Sequence, residues 1–331
     1  MSRSSFITLL LAVCSISLIG LGALVGGNGW SEWSSFTSDS VSQQIVLDIR
    51  LPRTAGAWFT GALLGLGGAL AQGLFRNPLA DPYLLGSSSG ASLGVVLLLA
   101  GVGSSTASFQ WYVILGTTGA AFLGAVAAVF LTLLLATGVA HTLRLLLAGV
   151  VVGVVLGACS ALVMMLVPSV MQTMQAFMLG STAFMGWHTV ALMLLVFIVG
   201  LLSSCALASV LDGLALGEST ALSLGLPVQK VRFILVLVLA LLTGTAVAHS
   251  GLIAFVGLAA PHLVRSLVTT KHRTLMVLSS LMGGVLLTSA DLLARSLVAP
   301  MELPVGVITA ILGGSYLLWQ MHRQAFVSSN T

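Results

Sequence analysis

The chain has 331 residues, 58% of them hydrophobic and only 6% charged, with 12 basic against 8 acidic side chains and a mean hydropathy of +1.13. Water-soluble domains carry roughly 25% charged residues, so the composition excludes one. At about 20 apolar residues per span it supplies roughly eight to ten membrane helices, and its scattered cations offer no basic stripe for a nucleic acid.

The first apolar run, Phe6 to Val25 behind Met-Ser-Arg, is about a full span long and lacks a small-x-small cleavage site. It reads as a retained first helix starting in the cytoplasm, not as a signal peptide. The runs that follow predict ten spans in all, at about 6–26, 54–75, 87–102, 111–135, 143–167, 189–210, 232–250, 257–268, 275–297 and 305–321. The expected fold is therefore all-α and polytopic, one membrane domain over 1–331 with both termini inside. Arg3, Arg76, Arg144, Lys230, Arg232, Lys271, Arg273 and Arg323 then fall on the cytoplasmic side, as the positive-inside rule asks. Arg50, Arg53 and Arg295 fall outside with Glu32, Asp39, Asp48 and Glu302. Those three arginines need a reason of their own.

Two hydrophilic stretches interrupt the spans. Residues 27–49, with Trp30, Trp33 and Phe36 among serines, read as an outer interfacial segment, since aromatic rings favour the headgroup level. Residues 211–231 read as a cytoplasmic helix–turn–helix, with Gly217 and Gly225 punctuating two short pieces and Pro227 stopping the second. Shifting the chain by 179 positions lays Arg53 on Arg232, Leu63 on Leu242, Gly65 on Gly244, Ala69 on Ala248 and Pro82 on Pro261. Five spans separate the copies, and an odd number inverts orientation, so 54–167 and 232–321 read as inverted repeats. Each copy carries a Gly/Pro-broken segment after its long helix. Broken backbone at membrane depth survives only against protein or a water-filled cavity, so both breaks are expected to border a pathway, with Ser88 and Gly257 as lining candidates.

Enzyme chemistry finds little support in the sequence. Gly86-Ser87-Ser88-Ser89-Gly90 satisfies G-x-S-x-G, and His249 and His262 follow as bases for an intramembrane serine protease using Ser88 or Ser89. The plainer reading is a run of small residues that caps a helix and lets its neighbours approach. No H-E-x-x-H is present, and the three cysteines, Cys14, Cys159 and Cys205, lie far apart in apolar runs, so no metal or disulfide framework is read. Lys230 and Lys271 follow Gln229 and Thr270, so the chain holds no G-K-[ST] and cannot form its own P-loop. Asp291 and Arg295, at i and i+4, can neutralise one another on one helix face. Asp291 is also the one acid suited to a proton relay, which leaves a proton-coupled carrier thinly supported. Seven methionines crowd residues 164–193. They read either as irregular core filling or, through Met171 and Met174, as a deformable lining for a bulky solute.

The blocks RLPRTAGAWFTGALLGLGGALAQGLFRNPLADPYLLGSSSGA, LDGLALGESTALSLGL, GLIAFVGLAAPHLVR, DLLAR and ELPVGVITAILGG resemble, in order, those of the FecCD-type permeases. These are membrane subunits of bacterial binding-protein-dependent ABC importers for iron siderophores, haem and vitamin B12. The resemblance covers nearly the whole chain. It implies a type II importer permease in the inner membrane: a homodimer with two cytoplasmic ATPase subunits, which bind the ATP and magnesium, and a periplasmic solute-binding protein. It implies no catalysis and no cofactor on this chain. It further implies that Arg50, Arg53 and Arg295 pair with glutamates of the binding protein. The segment 211–231 would fit the ATPase through Asp212, Gly217, Glu218, Ala221, Ser223 and Gly225. The family usually has Asn where this chain has Asp212, which puts that one contact in question.

Overall fold

The computed structural model describes residues 3–26, 29–30, 40–102, 110–136 and 142–328. Trp33, Phe36, Glu32 and Asp39 of the expected interfacial segment lie outside them. Helix α1 (Arg3–Leu24) is followed by two short paired strands, β1 (Val25–Gly26) and β2 (Gly29–Trp30). Then come α2 (Ser40–Gln44), a π-helical turn (Ile45–Arg50), α3 (Leu51–Phe75), α4 (Ser87–Val102), α5 (Gln110–Leu135) and α6 (Thr142–Leu166). After a 3-10 turn (Pro168–Val170) the chain forms α7 (Met171–Leu179), α8 (Trp187–Ala215), α9 (Glu218–Ser223) and α10 (Val228–Ser250). Helices α11 (Val256–Leu267), α12 (His272–Ser296) and α13 (Val305–Ser328) complete it. All ten predicted segments are helical, but the span expected at 257–268 is corrected: its helix, α11, is only 12 residues long and too short to cross. Seven helical stretches among the described residues are long and apolar enough to cross a bilayer.

Two details depart from the sequence reading. Residues 40–50 are helical and run straight into α3, because Gln44, Arg50 and Leu51 all hold helical backbone angles. Between α6 and α8 lies the unpredicted short helix α7, which starts behind Pro168 and ends at Gly180, whose positive φ of 71° suits a residue without a side chain.

The centre of the molecule is the antiparallel pair α3 and α12. Gly61 and Gly65 lie directly against the backbone of Ser279 and Gly283, so no side chain stands between the two helices there. At one end of the pair Arg53 meets Asp291; at the other Gly73 meets His272 and Leu211. Twenty residues of α-helix, about 30 Å at 1.5 Å each, separate these ends, which is the thickness of a bilayer core. Helix α10 runs antiparallel to α3: it begins near Glu218 and ends where Ser181 donates its N–H to the Ser250 carbonyl.

Helix α11 has 12 residues, about 18 Å, and cannot span a bilayer. Its first turn is level with the middle of α3, since Gly257 packs on Gly68 and on Pro82 of the first break. From there it runs to the His272 end, where Arg265 hydrogen-bonds Gln72. Helix α4 starts at the same level and runs the other way, packing Ala91, Val95 and Val96 against Val170, Met174 and Val247. The two breaks satisfy one another: Tyr83 of the first donates its hydroxyl to the Ile253 carbonyl of the second at 3.3 Å. Asp81 accepts the Tyr83 N–H, and Leu252 donates its own to the Phe177 carbonyl. Non-helical backbone at this depth is thus answered by protein, as the medium demands.

Candidate functional site

The Arg53 end carries a buried charge cluster assembled from three elements. Asp291, at the end of α12, has no solvent exposure. Arg295, one turn later, ion-pairs with it, Thr182 donates its hydroxyl to it from the loop after α7, and Arg53 of α3 lies 3.5 Å away. Arg53 reaches outward to Glu302 at 2.9 Å. Beside this cluster a recess of about 340 Å³ is lined by Arg53, Gln172, Gln175, Ser181, Thr182 and Glu302, among others. Arg50 lies close by and donates to the Ala23 carbonyl at 3.1 Å.

The three arginines singled out by the sequence are therefore gathered at one end but are not equivalent. Arg295 is 1% exposed and also donates to Thr54 Oγ1 and to the Val25 carbonyl. Arg295, expected as a docking side chain, has its charge paired with Asp291 inside the chain, unlike Arg53, which reaches outward to Glu302. Spacing foretold the i,i+4 pair with Asp291, but not that both members would be enclosed.

At the opposite end the polar segment is more compact than the sequence suggested. Helix α8 continues to Ala215 and α10 begins at Val228 directly after Pro227, so a single short helix, α9, stands between them. The extension follows from packing, because Leu211 and Leu214 are buried and Gly213 lies against Leu226. Gly217 (φ 114°) and Gly225 (φ 72°) make the two bends, in backbone regions that a side chain strains. Glu218 ion-pairs with Arg232 at 3.1 Å, and the Ser223 hydroxyl bonds back to the Ser219 carbonyl. Ala221 is fully buried, so it supports α9 from below and offers nothing to a partner. Asp212 accepts both the backbone N–H and, at 2.7 Å, Nδ1 of His272, tying α8 to the first turn of α12. What the sequence reading missed is the outer face of the segment. Leu216, Leu222 and Leu224 are 70%, 55% and 62% exposed on an otherwise polar connection. Three leucines in a chain so rich in leucine give no sequence signal.

Between the ends, the lining candidates separate. Met174 is wholly buried against Val170, Val247 and Ala91, so it fills core, whereas Met171 is exposed. Gly257 is likewise enclosed, by Pro82 and Leu64. Ser88 faces two open recesses, of about 360 and 390 Å³, which Tyr83 also lines. Among the described residues neither Ser88 nor Ser89 hydrogen-bonds a histidine, and the serine-protease reading lacks its base. A fluorophosphonate probe is expected to label neither serine; stoichiometric labelling of either would reinstate that reading. Nor do the described residues gather three or more His, Cys, Asp or Glu that could hold a metal ion.

Comparison with known proteins decides among the remaining readings. The model of the FecCD transport family matches residues 7–323. The chain belongs to that family. Among relatives of this FecCD protein, the hemin transport system permease protein HmuU of Yersinia pestis is 39% identical over 96% of this chain and 95% of its own length. The vitamin B12 import system permease protein BtuC of Vibrio cholerae is 37% identical over 97% and 94% respectively. A solved ABC transporter described as of metal-chelate type, in an inward-facing conformation, superposes with a TM-score of 0.86. It is 26% identical and covers 96% of this chain and 99% of its own. The all-α, polytopic FecCD permease fold expected from the sequence is thus the fold observed.

Proposed function

We propose that this chain is the permease subunit of a binding-protein-dependent ABC importer. It moves an iron chelate, haem or cobalamin inward across the bacterial inner membrane, as a homodimer energised by two cytoplasmic ATPase subunits that carry the ATP and magnesium. The family match and the named relatives support the class of solute. One arrangement supports the mechanism: a short helix with exposed leucines at one end of α3 and α12, and an arginine cluster a bilayer's thickness away at the other. In this reading α9 is the coupling helix and its end is cytoplasmic, while the Arg53 end is periplasmic, with Arg50 and Arg53 meeting carboxylates of the solute-binding protein.

The opposed directions of α3 and α10, which the 179-residue shift lays on one another, support the inverted repeat of 54–167 and 232–321, a symmetry suited to alternating access. Each chain's role is mechanical. Closure of the ATPases pushes α9, the Asp212 tie carries that motion to α12, and the packed helices move as rigid bodies. Ser88 and Met171 border the route of the solute.

Placing aspartate at Leu222 and Leu224 tests this proposal, because both leucines are exposed and the change spares the core. The double variant is expected to insert and fold normally, to lose co-purification with the ATPase, and to lose ATP-dependent uptake in proteoliposomes by at least about tenfold, the size of a lost apolar anchor pair. Uptake that persists without an ATPase would instead favour the proton-coupled carrier.

A further inference from the structure

We propose that Glu302 is an internal stand-in for a partner's carboxylate. It holds the Arg53 guanidinium while the permease is unengaged, and it gives way when an acidic side chain of a docking protein takes its place. The inference rests on the reading of Arg53 as a docking residue, and it adds a competitor to that site.

The two carboxylates that face Arg53 are of different kinds. Asp291 is fully enclosed and holds three donors, with Arg53 and Thr182 on one oxygen and Arg295 on the other. It cannot leave without stranding buried charge. Glu302 is 31% exposed on its side chain, against 12% for Arg53, and among the described residues its polar contact is with Arg53 Nη1 at 2.9 Å. It sits in the connection between α12 and α13, where Leu297, Val298 and Met301 are all exposed. An ion pair this open shifts equilibria by about fivefold at most, so one carboxylate can replace another on Nη1 at little net cost.

Space and chemistry agree with an exchange. The recess of about 340 Å³ beside the pair is lined by both Arg53 and Glu302 and by Gln172 and Gln175, with Asp291 and Thr182 also on its lining. An incoming side chain can therefore approach the guanidinium without dismantling the Asp291 cluster. A planar guanidinium favours carboxylate oxygens, and a carboxylate already rests there, so the replacement expected is Asp or Glu on a protein surface. Release of Glu302 would in turn loosen the connection 297–304, whose Glu302, Leu303 and Pro304 border the recess and lead into α13.

The test uses the full permease in nanodiscs with its ATPase subunits, and the fluorescently labelled solute-binding protein of the same transport system, titrated at low salt. Glu302→Gln is expected to tighten binding about three- to fivefold, Arg53→Gln to weaken it, and Glu302→Gln to have no effect in the Arg53→Gln background. In the unaltered permease, amide hydrogen exchange of 297–304 is expected to quicken when the binding protein docks. If Glu302→Gln weakens binding or leaves it unchanged while Arg53→Gln weakens it, the exchange is wrong and the docking reading stands. Unchanged binding by Arg53→Gln removes the docking reading and the exchange with it. Slowed exchange of 297–304 on docking would also overturn the proposal, independently of any variant.

Discussion

Asp291→Ala is expected to lower the stability of the permease by about 3–5 kcal/mol, the cost of leaving a buried charge without its partner. The residue compensates Arg295, which is 1% exposed, and it anchors Thr182 and Arg53 from two other elements. Alanine would leave the Arg295 guanidinium facing Thr54 and the Val25 carbonyl without a counter-charge. Thermal unfolding in detergent should show a large fall in the midpoint. The companion experiment pairs Asp291→Leu with Arg295→Met. Removing both charges of a buried pair is often neutral, so the double variant should regain much of the lost stability, with Arg53 still held by Glu302. If the double variant is as unstable as the sum of the two single ones, the cluster is not acting as a compensated pair.

Gly68→Ala should disable transport, whereas Gly67→Ala should be mild. A Cβ at position 68 runs into the carbonyl oxygen of Gly257, in the first turn of α11, and backbone cannot swing aside as a side chain can. At position 67 the nearest atoms are the Leu239 Cδ1 methyl at 3.3 Å, which a small rotation moves aside, and the Pro82 Cβ at 3.4 Å, already at ordinary contact distance. Overpacking of this kind costs about 1–3 kcal/mol. Here it also displaces the half-length helix from the middle of α3, so uptake should fall much more than expression or ATPase association does. Equal uptake by the two variants would show that the close approach of α3 and α11 is dispensable.

The fold was largely legible because lipid imposes a simple rule: apolar length alone marks a span, and no periodicity need be resolved. The first limit of that rule is α7, nine residues of mixed character that are too short to register. The second is the polar segment, whose expected two pieces became one because Leu211 and Leu214 continue the buried face of α8 past the last predicted span residue. The candidate site was legible in its charges but not in their environment. Arg50, Arg53 and Arg295 look alike in a sequence, yet enclosure by Asp291, Thr54 and the Val25 carbonyl sets Arg295 apart. The same holds for Met171 and Met174, three positions apart, of which one is exposed and the other sealed. Contacts made across more than two hundred residues of chain, such as Arg53 to Glu302, leave no local trace.

The crossing of α3 and α12 has a mechanical consequence. Where Gly61 and Gly65 lie on Ser279 and Gly283, backbone meets backbone, and beside that contact the Trp58 ring of α3 seats on Gly284 of α12 as a large side chain keyed into the partner helix. Small axial slippage at the glycines themselves displaces no side chain, but it shifts the Trp58 ring off its seat on Gly284. Resistance to travel is therefore shared between that aromatic key and the polar fastenings at the two ends of the pair.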